Sequence, residues 1–472
     1  MNCIELFLEQ SRDKRDRPAL WMPSGGVVTF SELERFSAKA QTLCLRSGLA
    51  PGDSVLLFEG IGPRLYASVL GILALGISIV LVEPWMKVGD IHRIMEIVRP
   101  KLFLAGWLGK AWGLRVSAIR SIPQWAGTGA LAGEAGGRDF HLEQVDAETP
   151  GVMVFTSGTS GNPKGIVRGH GFLLEQHNTI NRNLGLDRFP GPDLCIFTNF
   201  VLSNLASGRC SVIIPHSWKA SALAEVDSLP ENLQPETLAC GPTFLAHMID
   251  RVELKRLKTV HVGGALTDCR TFEAGFARWP EVHWVLGYGS SEAEPVAVTD
   301  AAPAVRESRA RGCFQTLLVG RPVPEIAYNL EPESLWVSGR HVCPRYIGND
   351  QANRLYKRTD EAGRIWHCMG DRIVADEAGW WYQGRSEQRP ADFKLEQKIY
   401  SLLDSSASFV FTDAAGRRHL LGEGLKAHRD RILRECPELE GVIEAKVYRD
   451  KRHRAKIDRG LSVKKGAKWL AG

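Results

Sequence analysis

The chain has 472 residues, 44% hydrophobic and 24% charged, ordinary proportions for a globular protein and enough length for two to three domains. Its 59 Lys and Arg against 54 Asp and Glu leave a formal charge of +5, too mild a surplus to indicate nucleic acid, and the basic run from Lys446 to Lys468 reads as a solvated face. The ten cysteines are scattered, with no C-x-x-C pair and no Cys/His spacing that suits zinc. They fit reduced thiols in a cytoplasmic protein, and the N-terminus lacks the pattern of a signal peptide.

In chain order, Phe30 to Ala40 has helical periodicity with Ser31 as its cap. Pro51-Gly-Asp turns the chain into a strand at Ser54–Phe58. Tyr66 to Val82 is the one long apolar run. Gly71 and Gly76 interrupt it and Glu83-Pro84 ends it, so it reads as a buried helix, Leu65 to Leu75, and a buried strand, Ile77 to Val82, with no transmembrane segment. This alternation of strand and helix implies parallel sheet covered by helices. Gly127 to Gly137 reads as a surface connection, and Val152 to Phe155 as a strand. Phe172 to Leu184 reads as a helix, on which His170 and His177 are surface histidines. Phe197 to Asn204 and Cys210 to Pro215 form a strand-bearing unit. Two further strands, at Leu238 and Thr259, end in glycine turns.

From about Arg385 the composition becomes short, charged and mixed. A strand-turn-strand is expected over Ser408 to Leu421, a helix over Gly424 to Glu435 and a strand over Ile443 to Tyr448. The fold class is therefore α/β. A large N-terminal domain of helix-covered mixed and parallel sheets, 1–385, precedes a hinge and a small α+β domain, 386–472.

Four stretches carry chemistry. The strand at Val152 runs into Thr156-Ser-Gly-Thr-Ser-Gly-Asn-Pro-Lys-Gly165. Gly158, Gly161 and Gly165 let main-chain N–H groups approach an anion. Thr156, Ser157, Thr159 and Ser160 add hydroxyls, and Lys164 adds a mobile positive charge, the set a polyphosphate requires. The spacing is not that of a Walker A loop. A Ser/Gly-rich surface turn is the plainer reading of the same residues.

Val262-Gly-Gly-Ala-Leu266 bends at two glycines, where a flat ring can lie against the main chain at Gly264 and Ala265. An ordinary strand-to-helix turn would look the same. In Leu286-Gly-Tyr-Gly-Ser-Ser-Glu292, Tyr288 between Gly287 and Gly289 can present its face to a base. Ser291 can donate to a phosphate, and Glu292 can hold Mg²⁺. A hairpin turn is the alternative. Asp371 follows a glycine and can accept two ribose hydroxyls, with Arg385 beside it. A structural Asp and a surface Arg are the plain readings.

These stretches, in this order over essentially the whole chain, resemble the adenylate-forming superfamily of acyl-CoA synthetases, peptide-synthetase adenylation domains and luciferases. The family reads Ser-Gly-Thr-Thr-Gly where Ser160 replaces a threonine. It reads Gly-Gly-(Ala/Glu)-Pro-Leu without its proline here, and Tyr-Gly-x-Thr-Glu with serine for threonine. Its Thr-Gly-Asp has Met369 for Thr, and Glu387 falls at its hinge aspartate. The resemblance implies that Tyr288 stacks on adenine, Glu292 reaches Mg²⁺ and Lys164 serves the phosphates of ATP. Lys456, in a segment like Gly-Lys-Ile, bridges the substrate carboxylate and α-phosphate.

The stretches Arg168 to His177, Asn204 to Gly208, Tyr288 to Pro295 and Arg452 to Asp458 resemble the β-lactone synthetase branch of olefin biosynthesis. These enzymes adenylate a 3-hydroxy fatty acid and close it on its own hydroxyl. The usual Val-Lys-x-x-Gly after the hinge is replaced by Arg389-Pro-Ala-Asp-Phe-Lys-Leu-Glu396. An acyl-CoA or acyl-carrier-protein ligase shares every adenylation motif, so CoA or a carrier protein enters only under that alternative. A nucleotide-binding homologue without catalysis is the third reading.

Overall fold

The computed structural model describes the chain except residues 24, 133–138, 157–162, 216–217, 450–455 and 467–472, and at 132, 156 and 187 the backbone alone. Among the described residues the strands form sheets of eleven, seven, four and three strands. The architecture is α/β, a large N-terminal part of helix-covered sheets with a smaller C-terminal α+β part.

The seven-stranded sheet holds the first buried unit. Ser54–Phe58 pairs in parallel with Ser78–Leu81 and Leu102–Ala105, and Ser78–Leu81 pairs in parallel with Pro150–Thr156. The apolar run forms the helix Pro63–Ala74 and the strand Ser78–Leu81, and every residue from Leu65 to Ala74 is buried. A helix apolar all round needs neighbours all round. The helix Phe30–Arg46 supplies one of them, and Gly71 allows the approach, because a Cβ there would stand 2.3 Å from the Ser37 carbonyl oxygen. No helix among the described residues is long and apolar enough to cross a membrane.

The eleven-stranded sheet is parallel from Pro18–Met22 through Ser211–Ile213, Asp193–Cys195, Thr237–Cys240 and Thr259–Val262 to His283–Ser290. It then turns antiparallel at Ala293–Asp300. The carboxyl ends of its parallel strands deliver Phe197, Gly241, Gly264 and Ser290 to one edge, where open α/β sheets bind their ligands.

Several sequence expectations need correction. Helix Phe30–Arg46 is capped by Thr29, whose hydroxyl accepts from Glu32 N–H while the Glu32 carboxylate accepts from Thr29 N–H. This reciprocal pair satisfies two end donors, which Ser31 cannot do from inside the helix. Thr198 to Asn204 is helical, within Thr198–Ala206, with Phe197 extended just before it, and the strands of that unit are Asp193–Cys195 and Ser211–Ile213. In the glycine-rich connection, Thr128 and Leu131 are fully buried on a 3₁₀ turn.

The smaller part builds its sheet from Ser408–Thr412, Arg418–Gly422 and Gly441–Glu444, so the last strand lies earlier than the expected Ile443 to Tyr448. The expected Gly424 to Glu435 helix is confined to Arg429–Glu435, after a 3₁₀ turn. The segment replacing the usual hinge loop is the helix Pro390–Leu403, with proline in its first turn, where no N–H is missed. Phe393 packs with Leu318 and Trp381, and Gln397 exchanges hydrogen bonds with Gln315. The linker before this helix is held by one buried guanidinium. Arg372 donates to the carbonyls of Arg385 (2.7 Å), Ser386 (2.6 Å) and Gln388, and pairs with Glu333 at 3.1 Å.

Candidate active site

Strand Pro150–Thr156 ends where the hydroxyl- and glycine-rich loop begins. Ser157, Gly158, Thr159, Ser160 and Gly161 lie outside the described residues, as does the side chain of Thr156. Lys164 opens the returning strand Lys164–Gly169, in register with Thr156. Its ammonium lies 3.9 Å from the Tyr356 ring centre and 5.6 Å from that of Tyr346. Burial pulls its pKa down, while the Glu292 and Glu387 carboxylates oppose that shift. Two aromatic faces and two carboxylates thus keep a cation at the mouth of the loop.

Glu292 occupies the turn between His283–Ser290 and Ala293–Asp300. The motif is a hairpin, as the plain reading held, and the hairpin projects the carboxylate. Gly289 is required there, because a Cβ would meet the Ala293 carbonyl oxygen at 2.7 Å. Arg168 ties the tip down by donating to the Ser291 carbonyl at 2.8 Å.

Glu292 Oε1 accepts from the Tyr346 hydroxyl at 2.8 Å. Burial pushes the Glu292 carboxyl upward, but His367, Tyr346 and Lys357 together hold it below the usual value. His367 is itself driven to about 3, first by burial and then by Lys357, so it is uncharged at neutral pH. The Tyr346 hydrogen bond and Lys357 therefore account for the ionised carboxylate. Lys357 donates to the Cys343 carbonyl, and its ammonium lies 4.8 Å from the Tyr346 ring centre. Sequence reasoning missed Tyr346, Tyr356 and Lys357, which belong to none of its motifs, and it passed over His367 inside the stretch that ends in Gly370-Asp371.

The third group is a chain of three side chains. The Tyr288 hydroxyl donates to Asp371 Oδ2 at 2.7 Å, and Arg385 Nη1 donates to Asp371 Oδ1 at 2.6 Å. Burial, then the Asp371 charge, raise the Tyr288 pKa. For Arg385, burial alone would lower the pKa, and Asp371 more than reverses it. Each oxygen of Asp371 keeps a further lone pair, so the carboxylate can still accept two hydroxyls. Met369, at the position of the family's threonine, is buried against Ala293 and Val296.

Gly264 follows strand Thr259–Val262 with φ +85°, a conformation glycine adopts without strain. It is exposed, with Ala265 half-buried beside it and Phe197 Cζ 3.8 Å from where a Cβ would stand. Glycine and a ring edge leave a shallow floor at the strand ends.

Lys456 is exposed. It precedes Ile457, which packs on Phe409, Leu421 and Val447 of the smaller part. Arg459 anchors the segment through a two-pronged ion pair with buried Glu396, at 2.7 and 2.8 Å. Glu396 also accepts from linker residue Gln388 at 2.9 Å. Arg449 lies close enough to Asp268 to oppose the burial that raises the Asp268 pKa. His170 is fully buried rather than on the surface, with its Nδ1 3.3 Å from Cys3 Sγ, and burial lowers its pKa to about 4. His177 is half-buried, 2.9 Å from Ser203 Oγ.

The family described as AMP-binding enzyme matches residues 7–346. The olefin β-lactone synthetase of Stenotrophomonas maltophilia is 25% identical over 93% of this chain and 88% of its own. That of Xanthomonas campestris pv. campestris is 23% identical over 93% and 87%. Among solved structures, O-succinylbenzoate coenzyme A synthetase from Bacillus subtilis, in complex with AMP, superposes with a TM-score of 0.79. It is 16% identical, with 96% of this chain and 97% of that one covered.

Proposed function

The chain belongs to the AMP-binding enzyme family, an AMP-forming ligase that activates an acid as its adenylate, and from that premise we propose that its substrate is a 3-hydroxy fatty acid which it then closes to a β-lactone. One observation supports the site assignment above the others. Glu292 and Arg385, from two other motifs, each lie within electrostatic reach of Lys164. Arg385 continues through Asp371 to Tyr288. A cation, an ionised carboxylate and a carboxylate ready for hydroxyls, in that order, match the polyphosphate, metal and ribose of ATP.

In this reading Thr156 to Gly161 and Ser291 hold the phosphates with Lys164. Gly264, Ala265 and Tyr288 form the adenine site, and Asp371 with Arg385 takes the ribose. Mg²⁺, when bound, would be held by Glu292 and would offset phosphate charge. Tyr346 keeps Glu292 ionised and oriented for that task. The acid carboxylate forms a bond to α-phosphorus as the bond to the β-phosphate oxygen breaks, releasing pyrophosphate. Lys456, brought in on the smaller part beyond a hinge at 385/386, would stabilise the charge that builds between carboxylate and phosphorus. No protein nucleophile is needed, so alignment supplies most of the rate. The 3-hydroxyl oxygen then bonds to the acyl carbon, AMP departs, and the hydroxyl proton passes to the leaving phosphate.

The test is pyrophosphate and AMP release with ATP, Mg²⁺ and a panel of acids, with and without 3-hydroxyl groups and CoA. A 3-hydroxy acid giving AMP and lactone without CoA is the expected outcome. AMP release that requires CoA would assign the second step to thioester formation. If no acid yields pyrophosphate and Lys456→Ala matches the parent, the activation reading falls.

A further inference from the structure

Two residues past Glu292, the strand Ala293–Asp300 brings a second carboxylate, Glu294, to the helix Thr198–Ala206. Asn199, in the first turn of that helix, donates from Nδ2 to Glu294 Oε2 at 3.1 Å. Asn199 lies just beyond Phe197, whose ring edge stands 3.8 Å from where a Cβ on Gly241 or Gly264 would be. The pair is therefore at the carboxyl edge of the parallel strands. In the assignment above, Lys164 and Glu292 take the phosphates and metal, and Gly264, Tyr288 and Asp371 take the nucleoside. Helix Thr198–Ala206 is the wall left for the acid.

The main chain that carries both glutamates is held at four carbonyls. Ser291 O accepts from Arg168 at 2.8 Å and Glu292 O from the Cys343 N–H at 2.7 Å. Glu294 O accepts from Gln176 Nε2 at 3.4 Å, and Pro295 O from the buried His341 Nε2 at 2.9 Å. A side chain on so fixed a backbone has its direction set in advance, as recognition requires. A tie between helix and strand does not by itself call for an acid, since Glu294→Gln would keep the Asn199 bond through the amide carbonyl. Farther along the helices, uncharged pairs suffice. His177 meets Ser203 at 2.9 Å and Asn181 donates to Ser207 Oγ at 3.2 Å, and burial lowers the His177 pKa to about 4, so its ring is neutral.

Asn199 and Glu294 together pose a specific demand. An amide nitrogen carries two N–H groups, and Glu294 takes one of them. A ligand group seated against the pair has to donate to the carboxylate and accept from the second N–H. A hydroxyl does both. An ammonium only donates, a ketone only accepts, and a methylene does neither.

We propose that Asn199 and Glu294 select the acid by its 3-hydroxyl, Glu294 accepting from that group and Asn199 donating to it. This rests on the reading above, in which a 3-hydroxy acid binds at this edge, and it names the side chains that recognise the substituent. One lone pair of the hydroxyl oxygen is engaged by Asn199 and the other faces the acyl carbon. The bonds made and broken are those of the closure step already given, with the proton still passing to the leaving phosphate.

The experiment is calorimetric titration of the full chain with 3-hydroxydecanoate, 3-aminodecanoate and decanoate. Mg²⁺ and α,β-methylene ATP are present, so that no adenylate forms, and pyrophosphate release with ATP is measured alongside. The hydroxy acid should bind at least about tenfold more tightly than decanoate, because a site built for a hydroxyl rejects the analogue that lacks it. Glu294→Leu and Asn199→Leu should each bring the two acids within about twofold of one another, and Glu294→Gln, which keeps an acceptor, should retain part of the preference. An AMP affinity equal to that of the parent shows each variant to be folded. A purely structural tie would weaken both acids alike and leave their ratio unchanged, which would overturn the proposal. A parent that binds none of the three, treats hydroxy acid and decanoate equally, or prefers the amino acid would overturn it too. Selective binding of the hydroxy acid without pyrophosphate release would keep this inference and lose the activation step, and release from both acids at equal affinity would do the reverse.

Discussion

In the proposed reaction Tyr346 acts through Glu292. Its hydroxyl donates one hydrogen bond to the carboxylate at 2.8 Å and fixes which oxygen turns toward the hairpin tip. Tyr346→Phe removes that bond with little change of shape. The Mg²⁺ concentration for half-maximal pyrophosphate release should rise about tenfold, as for other partners that orient a metal ligand. A magnesium titration checks it, and an unchanged midpoint would free Tyr346 of the role. Asp371→Asn tests the other end of the site. The amide keeps one acceptor but leaves Arg385 without its charge partner. Hydrogen bonds to charged groups contribute about 1.5–3 kcal/mol, so AMP affinity should fall roughly 10- to 100-fold. Calorimetric titration with AMP reads this directly. Asp371 and Glu292 were legible in the sequence because glycines and a tyrosine flank them. Tyr346 and Lys357 were not, because nothing in their local sequence separates a site tyrosine or lysine from any other.

At the scale of elements, the linker between the two parts is the informative piece. Arg372 binds the carbonyls of three linker residues, and Ser386 N–H donates to the Gly370 carbonyl at 2.9 Å. A guanidinium can do this because its donors form a rigid fork, which lysine lacks. Arg372→Met should speed amide exchange at Ser386 and Gln388 by about 10- to 100-fold, with the sheets unaffected. Hydrogen exchange read by mass spectrometry distinguishes this local opening from general unfolding, and unchanged exchange at both amides would refute the clamp. The sequence placed Arg385 and Glu387 at a hinge, and it marked the loss of the usual glycine-bearing loop. That a helix fills the gap follows from Pro390 at its first turn and the apolar spacing of Phe393, Leu395, Ile399 and Tyr400.

For the molecule as a whole, buried histidines set the response to acid. Burial lowers the pKa of both His170 and His261 from 6.5 to about 4. The unfolded chain therefore takes up protons first as the pH falls through 6.5. The stability these neutral histidines permit is complete above the unfolded value and is lost progressively on acidification toward about 4. A tenfold change in proton affinity is worth about 1.4 kcal/mol, so the fall from 6.5 to about 4 makes His261 alone account for roughly 3 kcal/mol over that window. The melting temperature should accordingly fall between neutral pH and about pH 5. His261→Gln retains a donor for the Leu184 carbonyl, so its melting temperature should fall less over the same interval. Parallel profiles for parent and variant would refute the assignment.

The sequence by itself determined the α/β class, the buried helix and strand from Leu65 to Val82, and the stretches from which the proposed ATP site is drawn. These are local properties. Periodicity, glycine spacing and the hydroxyl-rich loop are each written within about a dozen residues. It misread Phe197 to Asn204, an apolar stretch too short for periodicity to separate strand from helix, and it placed His170 on a surface that turned out to be packed against Cys3. Only the tertiary structure decided which distant side chains serve Glu292, how one guanidinium holds the linker, and that Asn199 meets Glu294. Each depends on what packs against a residue from elsewhere in the chain. Burial, charge balance and the direction in which a pKa moves exist only once those neighbours are in place.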